Sequence, residues 1–156
     1  MKFFASPDRR DPEFNSFLND ACLSLSDWFA TTTQREPSPS LSELPDIFPA
    51  IDGLSSDELL KDLQLMMAGS YQPSHPGSLA HLDPPPLTAS IVGELISAGL
   101  NNNMLAEELS PSITRLERGL CKWFADQLRM PKTSGGVAVS GGSLANLMAL
   151  LVARSR

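Results

Sequence analysis

The sequence predicts a mainly helical chain that ends in a strand–turn–helix unit, the beginning of an α/β fold. Apolar residues recur at helical spacing in four segments before residue 130. A short apolar run over Gly136–Ser140 then meets two glycines, and a helical pattern follows from Ser143 to Arg154. The 156 residues are enough for one domain with a hydrophobic core.

The first helix is predicted to begin at Asp11-Pro12-Glu13, where an N-cap acid precedes a proline at the first helical position. Its apolar face is broad and aromatic, and we expect it to pack on a large surface; it comprises Phe14, Phe17, Leu18, Ala21, Cys22, Leu25, Trp28 and Phe29. Residues 34–49 are rich in proline and serine and are interpreted as a flexible linker rather than a recognition motif.

A second helix is predicted after Ser55, because Ser55 and Glu58 have the spacing of a capping box. The helix-free stretch 69–77 that follows it is rich in turn residues and includes His75-Pro76. A loop of this composition holds either a tight turn or a site. His75 is therefore either a loop histidine or a functional one.

Two more helices precede the predicted strand. The third runs roughly from Leu87 to Leu100 and is apolar nearly all round, which predicts burial on most sides. It is preceded by Asp83-Pro84-Pro85-Pro86 and ends at Asn101. The fourth begins at Ser110-Pro111, in the favoured order of N-cap and first helical residue, and ends at Met130-Pro131.

Charge and composition exclude several classes of function. The net charge is −6 and the basic residues are scattered, so we expect no nucleic-acid partner and no anionic membrane surface. No apolar run approaches the roughly 18 residues of a membrane span, and the N-terminus lacks the apolar stretch of a secretory signal. Cys22 and Cys121 fall on predicted apolar stripes, which predicts buried free thiols and a cytoplasmic location. No metal site is predicted.

The C-terminal residues follow a strongly helical stretch directly. No cap, glycine or turn marks an ending at Val152–Arg156. We therefore expect the chain to be part of a longer protein or the product of a truncated reading frame.

A strand, Ser140-Gly141-Gly142-Ser143 and a helix together form a phosphate-binding arrangement. Glycines let the backbone approach an anion closely, and a helix N-terminus offers unpaired N–H groups and a partial positive charge. Ser143 can cap the helix and donate its hydroxyl to a phosphate oxygen. A plain strand-to-helix turn capped by Ser143 is the alternative. The loop lacks the Lys-Ser/Thr of a Walker motif and the third glycine of a dinucleotide fingerprint.

The order of several motifs resembles one family, the group II pyridoxal-phosphate decarboxylases, which includes glutamate, aromatic-amino-acid and diaminobutyrate decarboxylases. The resemblance runs from about Leu59 to the end of the chain. The motifs are His75-Pro76, His81-Leu82, Asn101-Asn102-Asn103-Met104, Ser110-Pro111, Leu116-Glu117, Ser140-Gly141-Gly142-Ser143, Asn146-Leu147-Met148 and Ala153-Arg154.

The resemblance implies an α/β fold, the fold type I of pyridoxal-phosphate-dependent transferases, with a mostly parallel sheet. Residues 1–105, including the linker 34–49, would be an N-terminal helical segment that wraps the other protomer of a homodimer. Residues 106–156 would begin the large cofactor-binding domain. The implied reaction is the decarboxylation of an L-amino acid with pyridoxal 5′-phosphate as cofactor.

The resemblance also implies roles for individual residues. Gly142 and Ser143 would bind the cofactor phosphate, and Asn146 would support that loop one helical turn further on. The residues that contribute to the substrate pocket would be His81, Leu82 and Asp83, and the Asn103-Met104 stretch would lie near the partner subunit's site. Structural roles are the alternatives for His81 and for Asp83, which precedes three prolines as a helix cap would. Pro84 stands where relatives often carry a hydroxyl residue, which puts a substrate carboxylate contact there in doubt.

The residues that complete catalysis in this family lie C-terminal of the phosphate loop. They are the Schiff-base lysine that follows a histidine, the carboxylate paired with the pyridine nitrogen and the histidine stacked on the ring, and the 156 residues contain none of them. We expect these residues alone to be inactive. Three alternatives remain: another enzyme of the same fold such as an aminotransferase, a non-catalytic truncated paralogue acting as a dimerisation module, and an unrelated helical module with another phosphate ligand.

Overall fold

The computed structural model describes residues 7–38, 51–79 and 82–155, and these form two compact units. The first unit is Met1–Leu87 and the second is Thr88–Arg156. The described residues contain five α-helices: α1 Pro12–Ala30, α2 Ser56–Ala68, α3 Thr88–Leu100, α4 Pro111–Gln127 and α5 Gly142–Arg154. Short 3₁₀ turns lie at Thr32–Gln34 and Glu107–Leu109.

Both helices of the first unit begin where their caps predict. The Asp11 carboxylate accepts the backbone N–H groups of Glu13 at 3.2 Å and Phe14 at 3.3 Å. The Ser55 hydroxyl accepts the Glu58 N–H at 3.3 Å, and the Glu58 carboxylate accepts the Ser55 N–H at 2.8 Å. Hydrogen bonds from the Ser55 hydroxyl and backbone hold the pKa of the Glu58 carboxyl below its ordinary value. The capping box therefore stabilises α2 above the ordinary pKa of Glu58 and is lost as the pH falls through the lowered one.

Helices α1 and α2 lie side by side and run in the same direction. Ser56, in the first turn of α2, donates to the Glu13 carboxylate at 3.3 Å. Further along both helices, the Gln64 amide donates to the Ser24 hydroxyl at 2.9 Å. Contacts that advance together along both helices require parallel axes. Most of the predicted linker between them, residues 39–49, lies outside the described residues.

The loop after α2 packs on the end of α1 through polar side chains. The buried Gln72 amide donates to the Thr32 hydroxyl at 3.1 Å, and that hydroxyl donates to the Phe29 carbonyl at 2.6 Å. The imidazole Nδ1 of His75 accepts the Gly77 N–H at 2.8 Å. The buried side chains of Gln72 and Thr32 thus have partners, and these hydrogen bonds offset the cost of removing the two groups from water. Of the two expectations for this loop, the structure favours a tight turn in which His75 is a loop residue.

Helix α3 has the predicted position but not the predicted burial. It ends at Asn101, which takes a left-handed φ of 42° and donates its N–H to the Ser97 carbonyl at 3.0 Å. Val92 and Ile96 are 59% and 57% exposed, so the expectation of burial on most sides is wrong for the described residues. The apolar side chains of α3 are therefore not covered by the described residues of its own unit.

The start of α4 also differs from its prediction in detail. Ser110 occupies the N-cap position before Pro111, but its side chain makes no capping hydrogen bond. The residue is fully buried, and its hydroxyl has no hydrogen-bond partner among the described residues. The sequence located the helix start correctly because Pro111 is compatible with the first turn, whereas the cap itself is not formed.

The predicted strand is not formed. Residues 136–139 have no ladder partner in the described part of the chain, and a strand is defined by pairing with a neighbour. Helix α5 begins at Gly142, one residue earlier than predicted, with Gly141 as its N-cap. The apolar run therefore marks an extended segment whose β-sheet neighbours would have to come from outside the described residues.

The two cysteines are free, but they are not buried as predicted. Cys22 is exposed and Cys121 is partly buried. On α1 the side facing α2 carries Asp20 and Ser24, which line the cavities between the helices. Cys22 is two residues from each, about 200° around the helix, and so points away from α2.

We expect the 156-residue chain to self-associate or aggregate in solution, because the apolar faces of α3 and α5 are left exposed. Sedimentation velocity and thermal melts of the purified chain test this. A monodisperse monomer with a cooperative melt would show that these faces are satisfied within one chain.

Candidate functional site

The N-terminal end of α5 is the candidate binding site of the second unit. Gly141 is the N-cap and has φ 139° and ψ 167°, a conformation that is essentially restricted to glycine. Gly142 and Ser143 are the first two helical residues. Sequence reasoning treated Ser143 as a possible cap, whereas the structure places it inside the first turn. Ser143 is therefore not the cap that the plain-turn alternative requires.

The first turn of α5 is equipped to bind an anion. The first N–H groups of an α-helix have no partner within the helix, and among the described residues no side chain caps this one. No acidic residue lies in the first turn, so nothing there opposes the positive end of the helix dipole. These backbone donors and the Ser143 hydroxyl suit the oxygens of a phosphate group, and the donor set therefore fits the phosphate of pyridoxal 5′-phosphate.

The three residues predicted to bind the cofactor lie together on α5. Asn146 follows Gly142 by four residues and Ser143 by three, spacings that place side chains on one face of a helix. All three are exposed, so the site is accessible from solvent. Their roles remain predictions. The sequence missed the N-cap role of Gly141, although the Gly141-Gly142 pair is the signal that pointed to a special backbone conformation.

The residues predicted for the substrate pocket belong to the first unit. His81 lies outside the described residues. Leu82 is fully exposed, and Asp83 is also exposed in the extended stretch that precedes α3. The assignment of His81, Leu82 and Asp83 to a substrate pocket stays a prediction.

The first unit contains a cavity of a different character. It has a volume of about 260 Å³ and lies between the N-terminal halves of α1 and α2. Its lining includes the carboxylates Glu13, Asp20 and Asp57. An acidic lining disfavours a phosphate group, so this cavity is not an alternative site for the predicted ligand.

The described residues also bear on metal binding and on membrane crossing. They contain no group of three or more histidine, cysteine, aspartate or glutamate side chains arranged to hold a metal ion. None of their helices combines the length and the apolar character needed to cross a bilayer.

Glu117 has a structural contact near the site that its place in the Leu116-Glu117 motif did not predict. The carboxylate of Glu117, on α4, accepts the backbone N–H of Ala138 at 2.8 Å. Ala138 lies in the extended segment that leads to Gly141 and Gly142. Spacing along the chain gives no signal for this bond, since 21 residues separate the two groups.

The chain is similar to several known proteins. Residues 37–156 match the model of the pyridoxal-dependent decarboxylase conserved domain. The chain is 27% identical over 146 residues to the L-2,4-diaminobutyrate decarboxylase of Acinetobacter baumannii, an alignment covering 91% of this chain and 28% of that protein. It is 34% identical over 124 residues to a glutamate decarboxylase-like protein of Gibberella zeae, covering 77% of this chain and 23% of that one. The chain thus spans about a quarter of the length of the curated relatives it matches.

A solved structure resembles nearly the whole chain. It is the glutamate decarboxylase domain of a diaminobutyrate-pyruvate transaminase and L-2,4-diaminobutyrate decarboxylase from Vibrio parahaemolyticus. The TM-score is 0.84 at 23% sequence identity, and the match covers 97% of this chain and 34% of that structure. The likeness confirms the predicted fold class, the α/β fold type I of pyridoxal-phosphate enzymes, of which the described residues are a helical part.

Proposed function

The chain belongs to the pyridoxal-dependent decarboxylase family, and from that premise we propose that it is the N-terminal part of a pyridoxal-phosphate-dependent L-amino-acid decarboxylase. Pyridoxal 5′-phosphate is the cofactor of this family, as the sequence predicted. We further propose that this part of the protein binds the cofactor phosphate and does not hold the lysine that carries the cofactor.

The observation that carries the proposal is the uncapped N-terminus of α5. Gly141 occupies the N-cap position and has no side chain to cap the first-turn N–H groups, and Ser143 adds a hydroxyl as the second residue of the helix. A family that depends on a phosphorylated cofactor needs such a site. The residues that match the family model, 37–156, include the whole of α5 and its first turn.

The proposed roles follow from the chemistry of these groups. Backbone N–H groups of Gly142 and Ser143 donate to phosphate oxygens, and the Ser143 hydroxyl donates a further, charge-assisted hydrogen bond. Asn146 supports the loop from the next turn. Held at its phosphate, the cofactor is fixed in position and orientation relative to the rest of the protein. When bound, pyridoxal phosphate supplies a ring that accepts the electron pair left when carbon dioxide departs.

The substrate and the assembly are part of the same proposal. His81, Leu82 and Asp83 would contribute to the pocket of the L-amino-acid substrate. Residues 1–105 would form the dimerising helical segment of a homodimer, and residues 106–156 would begin the large domain. The two free cysteines support a cytoplasmic location.

A second candidate function is a non-catalytic dimerisation module. The exposed apolar faces of α3 and α5 favour it, because such faces mark surfaces that associate. Genomic sequence downstream of the codon for Arg156 separates the two candidates. An in-frame continuation with a His-Lys pair supports the decarboxylase, and a stop codon supports the module.

The phosphate site is tested by replacing Ser143 with alanine. Removing one donor to an anion costs about 1–3 kcal/mol, so we expect the variant to bind pyridoxamine 5′-phosphate roughly 5- to 150-fold more weakly. Calorimetric titration measures this. Pyridoxamine 5′-phosphate has no aldehyde and so forms no imine with exposed lysines, which isolates the phosphate contact.

Ser112 provides a matched control. It is the second residue of α4, as Ser143 is of α5, and it is also exposed. Ser112→Ala should leave the affinity unchanged, and pyridoxamine without its phosphate should bind wild type and Ser143→Ala alike. Equal affinities of wild type and Ser143→Ala for the phosphorylated ligand would remove Ser143 from the site.

A further inference from the structure

The end of α4 reverses the chain. Arg129 takes a left-handed φ of 55° and donates its N–H to the Asp126 carbonyl at 3.0 Å. The Met130 N–H donates to the Ala125 carbonyl at 2.9 Å. These two bonds form a Schellman motif, which closes the helix and redirects the backbone. Pro131 follows and prevents the helix from continuing.

The residues after this turn form a return segment, residues 132–138, that runs back along α4. The Lys122 ammonium donates a hydrogen bond to the Lys132 carbonyl at 2.9 Å. Further along, Gly136 comes so close to Cys121 that an added Cβ would lie 3.3 Å from the Cys121 Cβ. The last contact is the bond from the Ala138 N–H to the Glu117 carboxylate at 2.8 Å. As the segment advances, its partners recede along the helix, so the two run antiparallel.

The Glu117 carboxylate accepts a backbone N–H of this segment, as a carbonyl of a neighbouring strand would do in a sheet. A strand in a sheet is kept in register by carbonyl acceptors on the adjacent strand. In the described part of the chain the return segment has no such strand, and the acceptor for Ala138 is instead a half-buried side chain on a helix. An ionised acceptor makes a stronger hydrogen bond than a neutral one. Glu117 and Cys121 are four residues apart and share a face of α4, so the anchor and the close contact act together.

We propose that Glu117 is a positioning residue of the phosphate loop: by accepting the Ala138 N–H it fixes where the return segment delivers Gly141, Gly142 and Ser143. The inference rests on the proposed phosphate site. Gly141 is three residues beyond Ala138, a distance of at most about 10 Å along an extended chain. An anchor this close leaves little slack in the loop. Without it the segment is free to slip, and a slip of one residue inverts the direction of each side chain.

The test compares two substitutions at Glu117. Glu117→Gln keeps a side-chain carbonyl oxygen at the same reach, whereas Glu117→Ala removes the acceptor. Two measurements on the full chain are needed: hydrogen–deuterium exchange of the amides of residues 138–143, and calorimetric titration with pyridoxamine 5′-phosphate. Loss of one hydrogen bond to an ionised acceptor should speed exchange at Ala138 on the order of tenfold in Glu117→Ala. The affinity should fall several-fold, and Glu117→Gln should restore most of both values.

Two further variants keep the comparison sharp. Glu94→Ala replaces an exposed glutamate within α3 and should change neither measurement. Ala138→Pro removes the donor and leaves Glu117 in place. It should weaken binding and speed exchange at the amides of residues 139–143 as Glu117→Ala does, and these two readouts take the place of exchange at position 138 if Glu117→Ala does not fold. Recovery of affinity in Glu117→Gln distinguishes positioning from a general loss of stability, as unaltered circular dichroism of both variants does.

The exchange and affinity measurements together decide whether Glu117 positions the loop. Unchanged exchange at Ala138 in Glu117→Ala overturns it, since the bond would then constrain nothing. Faster exchange with unchanged affinity also overturns it, provided that Ser143→Ala weakens binding in the same assay. If Ser143→Ala leaves the affinity unchanged, the role of Ser143 in the proposed phosphate site fails, a result that the exchange measurement at Ala138 separates from failure of the Glu117–Ala138 hydrogen bond to position the loop.

Discussion

Replacing Gly141 with alanine is expected to lower the affinity for pyridoxamine 5′-phosphate by roughly 5- to 150-fold. Gly141 has φ 139° and ψ 167°, in a region of backbone conformation that side chains exclude. Holding alanine there costs about 1–3 kcal/mol. The variant relieves the strain by moving the loop, and the first-turn N–H groups then lose their common direction toward the phosphate.

Steric crowding does not account for this effect. A Cβ built at Gly141 has no heavy atom within 4 Å, so the cost lies in the backbone alone. Gly135 is the matched control, because its Cβ position is equally open and it lacks the positive φ. Both glycines are exposed and lie in the same connection between α4 and α5.

Calorimetric titration of wild type, Gly141→Ala and Gly135→Ala provides the comparison. Gly135→Ala should bind as wild type does. If Gly141→Ala also binds as wild type does, the positive-φ conformation at Gly141 is not needed for the site. A loss in Gly141→Ala together with a loss in Ser143→Ala would locate the phosphate at the N-terminus of α5.

The helices were predictable because their signals are local. Asp11, Ser55 and Glu58 make the capping bonds that their spacing predicts, within three residues of each cap. Asn101 ends α3 where the sequence places the stop. Such signals depend on the backbone of one turn, which the sequence specifies without knowledge of the rest of the chain.

Burial and strand formation were less predictable, because both depend on partners distant in sequence. Val137 and its neighbours have the apolar character of a buried strand, yet no ladder forms in the described residues. Cys22 lies on an apolar stripe, yet α2 packs on another side of α1. A periodic pattern gives the face of a helix that favours burial, but not the surface that covers it.

The candidate site shows the same division. The glycine pair and Ser143 identified the loop, since glycine before a helix is a local signal. Gly141 rather than Ser143 proved to be the N-cap, a shift of two residues that local patterns do not resolve. The Glu117 anchor depends on the reversal of the chain at Arg129, which places α4 beside the segment before the loop.

The last prediction is that the 156 residues alone release no carbon dioxide from L-amino acids when pyridoxal phosphate is added. This type of catalysis needs a lysine amine that is activated by desolvation or by a neighbouring charge. The chain has four lysines, Lys2, Lys61, Lys122 and Lys132, and none of them follows a histidine. Lys2 lies outside the described residues, and Lys61 is exposed on α2.

Lys122 makes an ion pair and a hydrogen bond, and Lys132 is largely exposed. The ammonium of Lys122 lies 3.3 Å from the Asp126 carboxylate and donates to the Lys132 carbonyl. The hydrogen bond from Lys122 holds the pKa of the Asp126 carboxyl below its ordinary value. The Lys132 side chain is 88% exposed and lies 3.4 Å from the same carboxylate. Neither lysine therefore has the desolvated surroundings that activate an amine as a nucleophile.

The measurement is carbon dioxide release from a panel of L-amino acids, with the cofactor alone as control. Borohydride reduction followed by peptide mapping identifies any lysine that has bound the aldehyde. We expect release equal to the control and, at most, label scattered over exposed lysines. Turnover above the control with the label on a single lysine would show that these residues already hold a complete catalytic site, because only a desolvated and oriented amine would capture the cofactor at one position.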